Sequence, residues 1–216
     1  MSESFTSLRA IILRRSAAGD DSLALQTLLE NGQFQWFRIP GVLKSNKRSS
    51  FHYYPGAVYR MIFRAAADTR VIPKSSELLF SPFGENQSYT LLNAVAELVR
   101  AAEFLKASPE NAEYFELLLA ALTAMPAEVS AVEAHVDAHY WQLLHFLGLA
   151  ALPEEDCEYV AYDLQSGFVS ARERAARAHS DFLLPVEWIK RAEGEILAGV
   201  DSAHCRELIR KFLSTI

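Results

Sequence analysis

The run Leu23-Ala24-Leu25-Gln26-Thr27-Leu28-Leu29-Glu30-Asn31-Gly32-Gln33-Phe34-Gln35-Trp36-Phe37-Arg38-Ile39 decides how the first part of the chain folds. Two segments of strand-forming residues flank an Asn-Gly pair, and such a pair between such segments is a strong hairpin signal because both residue types accept the backbone angles of a tight turn. Upstream, Ser7 to Arg15 is a further Ile- and Leu-rich strand. Downstream, Ala57 to Arg64 alternates, with Tyr59, Met61 and Phe63 on one side and Val58, Arg60, Ile62 and Arg64 on the other. After a turn at Asp68-Thr69, Arg70 to Phe80 is extended again. Five short strands in so little chain point to a small closed or nearly closed barrel, for which the five-stranded OB-fold is the commonest solution. An SH3-like barrel fits the same pattern.

Past Pro82-Phe83-Gly84 the hydrophobic period changes. Leu91, Leu92, Val95, Leu98, Val99, Ala102 and Leu105 recur at helical spacing, and Ser108-Pro109-Glu110 reads as the cap and first turn of a second helix ending near Met125. A third helix carries Val129, Val132, Val136, Tyr140, Leu143, Leu144 and Leu147, with Gly148 as its stop. Tyr159 to Tyr162 and Phe168 to Ser170 form a short hairpin, followed by helices from about Pro185 to Ala198 and from Ser202 to Ser214. The expected fold class is α+β. Residues 1–80 are expected to form the OB-fold domain, and residues 81–216 a mostly α-helical domain with a short β-hairpin.

The chain has 216 residues, half of them apolar, which is enough for a packed core and excludes a disordered protein. Its longest apolar run, Leu117 to Met125, is far short of the roughly 20 residues that span a bilayer. Met1 to Arg15 lacks the uninterrupted apolar stretch of a signal peptide, and two cysteines fit a reducing compartment. The expected location is the cytoplasm, with no membrane partner. The net charge of -6 conceals an uneven distribution. Up to Phe80 there are eleven Lys or Arg against six acids; the remainder holds ten against twenty-one. Ala107 to Ala171 contains eleven acids and neither Lys nor Arg.

Catalytic and cofactor signatures are missing from the sequence. The nine glycines are scattered, and Gly194 and Gly199, which have the spacing of a phosphate-binding loop, are followed by Val200-Asp201 where Lys-Ser or Lys-Thr is required. No nucleophile-elbow sequence occurs. His135 and His139 share a helix face at metal-ligand spacing, but the Glu that follows the first His of a zincin is replaced by Val136. Cys205 falls on the inward stripe of the last helix, and Cys157 has no partner at ligand spacing. The expectation is a protein without catalytic residues, metal or cofactor.

The basic half carries the features that nucleic-acid binding requires, cations to follow the phosphates and aromatic faces for the bases. Lys44, Lys47 and Arg48 lie in the polar segment Gly41 to Ser50 between strands. Arg60 and Arg64 share one strand face, and Arg38 shares another with Phe34 and Trp36. Alternation identifies the face of Trp36 without deciding whether that face is barrel core or solvent.

The order of these features resembles the bacterial recombination mediator family RecO. The resemblance rests on the opening strand Leu8 to Arg15, the acidic turn Gly19-Asp20-Asp21-Ser22, the Asn31-Gly32 turn, the basic loop Gly41 to Ser50 and the closing Glu77-Leu78-Leu79-Phe80. It continues through the helix Tyr89 to Lys106 and the step Trp141-Gln142-Leu143-Leu144-His145-Phe146-Leu147-Gly148-Leu149. The resemblance implies a non-enzymatic repair protein whose OB-fold binds single- and double-stranded DNA and anneals complementary strands. Its helical domain would contact the C-terminal tail of single-stranded DNA-binding protein, and with RecR it would help load RecA onto coated DNA in a bacterial, nucleoid-associated setting. Carried over are Lys44, Lys47 and Arg48 in the matching loop, with Arg14 and Arg15 at the end of the first strand. The chain departs from the family in three ways. Only Cys157 stands where many members carry two CxxC pairs for structural zinc, Gln33 replaces a Lys after the turn glycine, and the helical part is acidic. The last departure keeps open a second reading, a protein-interaction adaptor of the same fold with weak or lost DNA binding and an acidic helical surface.

Overall fold

The computed structural model describes residues 5–19, 21–43, 53–64, 72–83, 88–102, 105, 111–148, 150, 152, 159–163, 167–170, 183–187 and 190. Five strands come first: β1 (Phe5–Ala17), β2 (Leu23–Leu29), β3 (Phe34–Ile39), β4 (Val58–Arg64) and β5 (Ser75–Phe80). They form one antiparallel sheet in the order β3-β2-β1-β4-β5. The helices α1 (Tyr89–Ala101), α2 (Asn111–Thr123) and α3 (Val129–Phe146) follow, then a smaller sheet of β6 (Tyr159–Asp163), β7 (Gly167–Ser170) and β8 (Leu183–Pro185) in the order β7-β6-β8. The class is therefore α+β. The chain divides into two compact units, Met1–Met125 and Pro126–Ile216, so the change from strands to helices after Phe80 falls inside the first unit.

The Asn-Gly signal marks a real turn, in a wider form than a two-residue loop. Gly32 alone has a positive φ, 80°, and its N–H donates to the Leu29 carbonyl at 2.9 Å while the Leu29 N–H donates to Gln33 at 2.9 Å. The Asn31 side chain accepts from the Gln33 N–H at 3.2 Å, which holds the three-residue loop Glu30 to Gly32 shut. Strand register then runs from Leu28 opposite Phe34 to Leu23 opposite Ile39.

Strand β1 is the spine of the sheet. Phe5 to Ile11 pair with β4, Ala10 to Ala17 pair with β2, and a bulge falls between Ile12 and Arg14. A bulge bends the strand and increases its twist. The consequence is visible inside: the rings of Phe37 on β3 and Phe63 on β4 stack with centroids 5.1 Å apart. Three strand spacings separate those strands, which in a flat sheet amounts to about 14 Å. The sheet is thus rolled so that one face packs against itself. That face carries Ala10, Ile12, Leu23, Leu25, Leu29, Ile39, Tyr59 and Met61. The roll is not closed, because β3 and β5 do not pair among the described residues.

Part of the outward face is covered by α1 and α2. Ser88 caps α1 by accepting from the Leu91 N–H at 3.2 Å, and Val95, Leu98 and Val99 are buried. The first residue of α2, Asn111, donates to the Gly32 carbonyl at 3.3 Å, so the helix is tied to the β2–β3 turn. Ser108 to Glu110, expected to cap it, lie outside the described residues. Arg9 clamps the same end: its guanidinium bonds Glu30 at 2.7 Å, reaches Glu116 of α2 and lies over the Phe115 ring at 5.2 Å. Hydrogen bonding to Glu30 raises the Arg9 pKa further.

In the second unit α3 buries Val132, Tyr140, Trp141, Leu143 and Leu144 and stops at Gly148, whose φ is 69°. The expected hairpin is present, pairing Val160 with Ser170 and Tyr162 with Phe168. The helix expected from about Pro185 has helical backbone from Val186, because Leu183–Pro185 is a strand paired with Tyr159 to Ala161. The missing N–H of Pro185 is tolerated on an edge strand, and β8 is one. The remainder of that expected helix and the helix at 202–214 fall largely or wholly outside the described residues. No described helix is long and apolar enough to cross a membrane.

Gly56 is packed more closely than Gly19, Gly41 or Gly148. Its N–H donates to the Ile12 carbonyl at 2.8 Å, the Ile12 N–H donates to Ala57 at 2.9 Å, and its φ is 84°. A Cβ there would lie 2.5 Å from Cγ1 of Val95 on α1. Left-handed strain and overpacking together predict that Gly56→Ala costs about 2–4 kcal/mol, measured as a lower denaturant midpoint at unchanged slope.

Candidate nucleic-acid interface

Residues directly opposite in antiparallel strands share a face. Arg14 is opposite Gln26, and Gln26 is opposite Trp36, so these three form one row across β1, β2 and β3. The next row is Ser16, Ala24 and Arg38. Both rows lie on the outward face, since Thr27, Leu25 and Phe37 alternate to the other side and are buried. Arg14 and Arg38 are exposed, and Trp36 is 52% exposed. Spacing along β3 places Arg38 about 7 Å from Trp36, and two strand spacings place Arg14 about 10 Å away. The Arg38 guanidinium is held over the start of β2 by the Ser22 hydroxyl at 3.2 Å and the Ala18 carbonyl at 3.5 Å. Ser22 in turn donates to Asp21 at 3.2 Å. No acidic residue occupies either row.

The other expected cations are placed differently. Arg15 follows Arg14 and therefore points to the opposite face, where its guanidinium carbon lies 4.4 Å from the Tyr54 ring centroid. Arg60 is outward but sits opposite Arg9, and it bonds Glu77 at 2.8 Å. It is separated from Arg14 by five positions of β1, about 17 Å. Arg64 pairs with Phe5 at the far end of β1. Lys44, Lys47 and Arg48 lie outside the described residues. The structure thus brings together Arg14, Trp36 and Arg38 and separates them from Arg15, Arg60 and Arg64. Sequence reasoning overlooked Gln26, the polar link in the first row. Its signal was a lone amide at an outward position of an otherwise Leu-rich strand.

His135 and His139 do share a face of α3, with His139 buried and His135 half-buried. Among the described residues no three His, Cys, Asp or Glu side chains are grouped to hold a metal ion. Cys157 and Cys205 are outside them. No protein-family model matches the chain, and no curated protein is significantly similar to it.

Burial, and secondarily the nearby His135, lowers the pKa of His139 to about 4. The folded state therefore keeps this imidazole neutral while the unfolded chain takes up a proton near the ordinary value. Its contribution is complete above about pH 6.5 and is lost as pH falls toward 4, amounting to about 3 kcal/mol. Urea midpoints between pH 7 and 4.5 are expected to fall less steeply for His139→Gln than for the natural chain.

Proposed function

We propose that this protein is a non-enzymatic DNA-binding mediator of the RecO type, which holds the DNA backbone on the outward face of an OB-type barrel. The supporting observation is the row structure of β1, β2 and β3, which leaves Arg14, Trp36 and Arg38 exposed together. Strand order supports the barrel type: a long bent β1 pairs with both β2 and β4, and the rolled interior is sealed by Phe37 against Phe63. OB-folds are five-stranded, partly open Greek-key barrels that bind oligonucleotides on the face of their second and third strands. In this reading Lys44, Lys47 and Arg48 supply further phosphate contacts. Annealing of complementary strands, cooperation with RecR, docking to the tail of single-stranded DNA-binding protein and assistance in loading RecA belong to the proposal through the family resemblance.

The compensation of Arg9 and Arg60 by Glu30, Glu116 and Glu77 favours a second reading. It removes two cations from the basic half, as expected of an adaptor that keeps the fold and binds proteins through its acidic helical part. Strong partner binding without strand annealing would select that reading.

The test is fluorescence anisotropy of labelled oligo-dT at 50 and 200 mM salt. About five phosphate contacts give a slope near -3.5 on logarithmic axes, or about a hundredfold loss of affinity over that range. Arg14→Ala with Arg38→Ala is expected to reduce the slope by about 1.4, and the triple alanine variant of Lys44, Lys47 and Arg48 by about 2. Lack of binding at 50 mM contradicts the proposal, as do variants with an unchanged slope.

A further inference from the structure

We propose that the outer edge of β3 is a self-association surface, on which a second copy of this chain pairs its own β3 antiparallel about a two-fold axis at Trp36. The inference does not depend on the nucleic-acid reading above.

The direction of the backbone groups identifies the occupant as an extended chain. The Leu29 N–H donates to the Gln33 carbonyl, so Leu29 and Gln33 are a hydrogen-bonded pair of the antiparallel ladder. Such pairs alternate, which assigns the bonds toward β2 to Gln35, Phe37 and Ile39. The N–H and carbonyl groups of Phe34, Trp36 and Arg38 therefore point away from β2. β3 is the end strand of its sheet, and no strand pairs with that edge among the described residues. Unpaired backbone groups of this kind are a template for another strand, and edges are commonly blunted by a bulge, a proline or charge. β5, at the other end of the sheet, has a bulge in its pairing with β4 and carries Glu77. β3 keeps an unbroken register over Phe34–Ile39, contains no proline, and has Arg38 as its one charged residue. The strand is also complementary to itself. Pairing centred on Trp36 sets each Trp36 opposite its counterpart and each Phe34 opposite an Arg38, and the three pairs exchange about six hydrogen bonds. Residues directly opposite share a face, so the half-exposed indoles meet on the outward side. Each Phe34 ring lies along the apolar stem of an Arg38 whose guanidinium stays on Ser22. Centring on Arg38 instead would set two like charges opposite one another, and centring on Phe34 would leave Arg38 and Trp36 unpaired.

Sedimentation velocity of the full chain without DNA, from micromolar to millimolar concentration, measures the association, and amide hydrogen exchange locates it. The natural protein is expected to pass from monomer to dimer, with the Phe34, Trp36 and Arg38 amides becoming protected as the dimer fills. The Gln35 and Phe37 amides, already bonded to β2, should be protected throughout and report that β3 is folded. Trp36→Lys places two ammonium groups opposite one another at the axis and should weaken the dimer about tenfold or more, while Trp36→Tyr should retain it. A natural protein that stays monomeric overturns the inference. So does a dimer whose three edge amides exchange freely, or one that Trp36→Lys leaves unweakened with β3 folded, since either assigns the association to another surface. Growth beyond the dimer also overturns it, because a closed two-fold contact stops at two copies whereas β3 pairing onto β5 of the next copy would propagate.

Discussion

The backbone of Ile12 is the point on which the first unit depends. Its N–H and carbonyl are both engaged by the segment entering β4, through Ala57 and Gly56, immediately before the bulge that separates Ile12 from Arg14. The clamp allows one strand to serve two partners, β4 along its first half and β2 along its second. It also sets the curvature that brings Phe37 and Phe63 into contact. Gly56 makes the clamp possible, because only a residue without Cβ fits against Val95 at that backbone angle.

The bulge decides which arginine shares a face with Trp36 as well as the shape of the sheet. Along β1 the inward positions before it are Leu8, Ala10 and Ile12, so unbroken alternation would turn Arg14 inward and Arg15 outward. One extra residue reverses the alternation. Arg14 thereby joins the row of Gln26 and Trp36, and Arg15 packs over Tyr54. A net charge of -6 says little about this surface. What matters is which cations are already compensated. Arg9 and Arg60 are tied to carboxylates that fasten a helix or a neighbouring strand.

Much of the fold was legible because it is written in short-range chemistry. Asn31-Gly32 marked the hairpin, the alternation in Val58 to Arg64 marked β4, and helical spacing marked α1 and α3. Pro185 marked the start of helical backbone to within one residue, and only the partner strand shows that the proline itself ends an edge strand. The site was legible in part. Residue types identified Arg14, Arg38 and Trp36, but the wet face of Trp36 depends on where α1 and α2 lie, which periodicity in the strand does not contain. The choice between Arg14 and Arg15 depends on a bulge that has no signature in β1. His139 shows the same limit, since a histidine within a helical stripe reads alike whether it is buried or exposed.

The central claim is that one face of β1, β2 and β3 receives the DNA strand. Amide and indole NMR shifts followed during titration with short oligo-dT test it most directly. The account predicts shifts concentrated at Arg14, Gln26, Trp36 and Arg38, with Arg9 and the α2 residues around Glu116 little affected. Shifts confined to residues beyond Pro126, with the Trp36 indole unmoved, would contradict it.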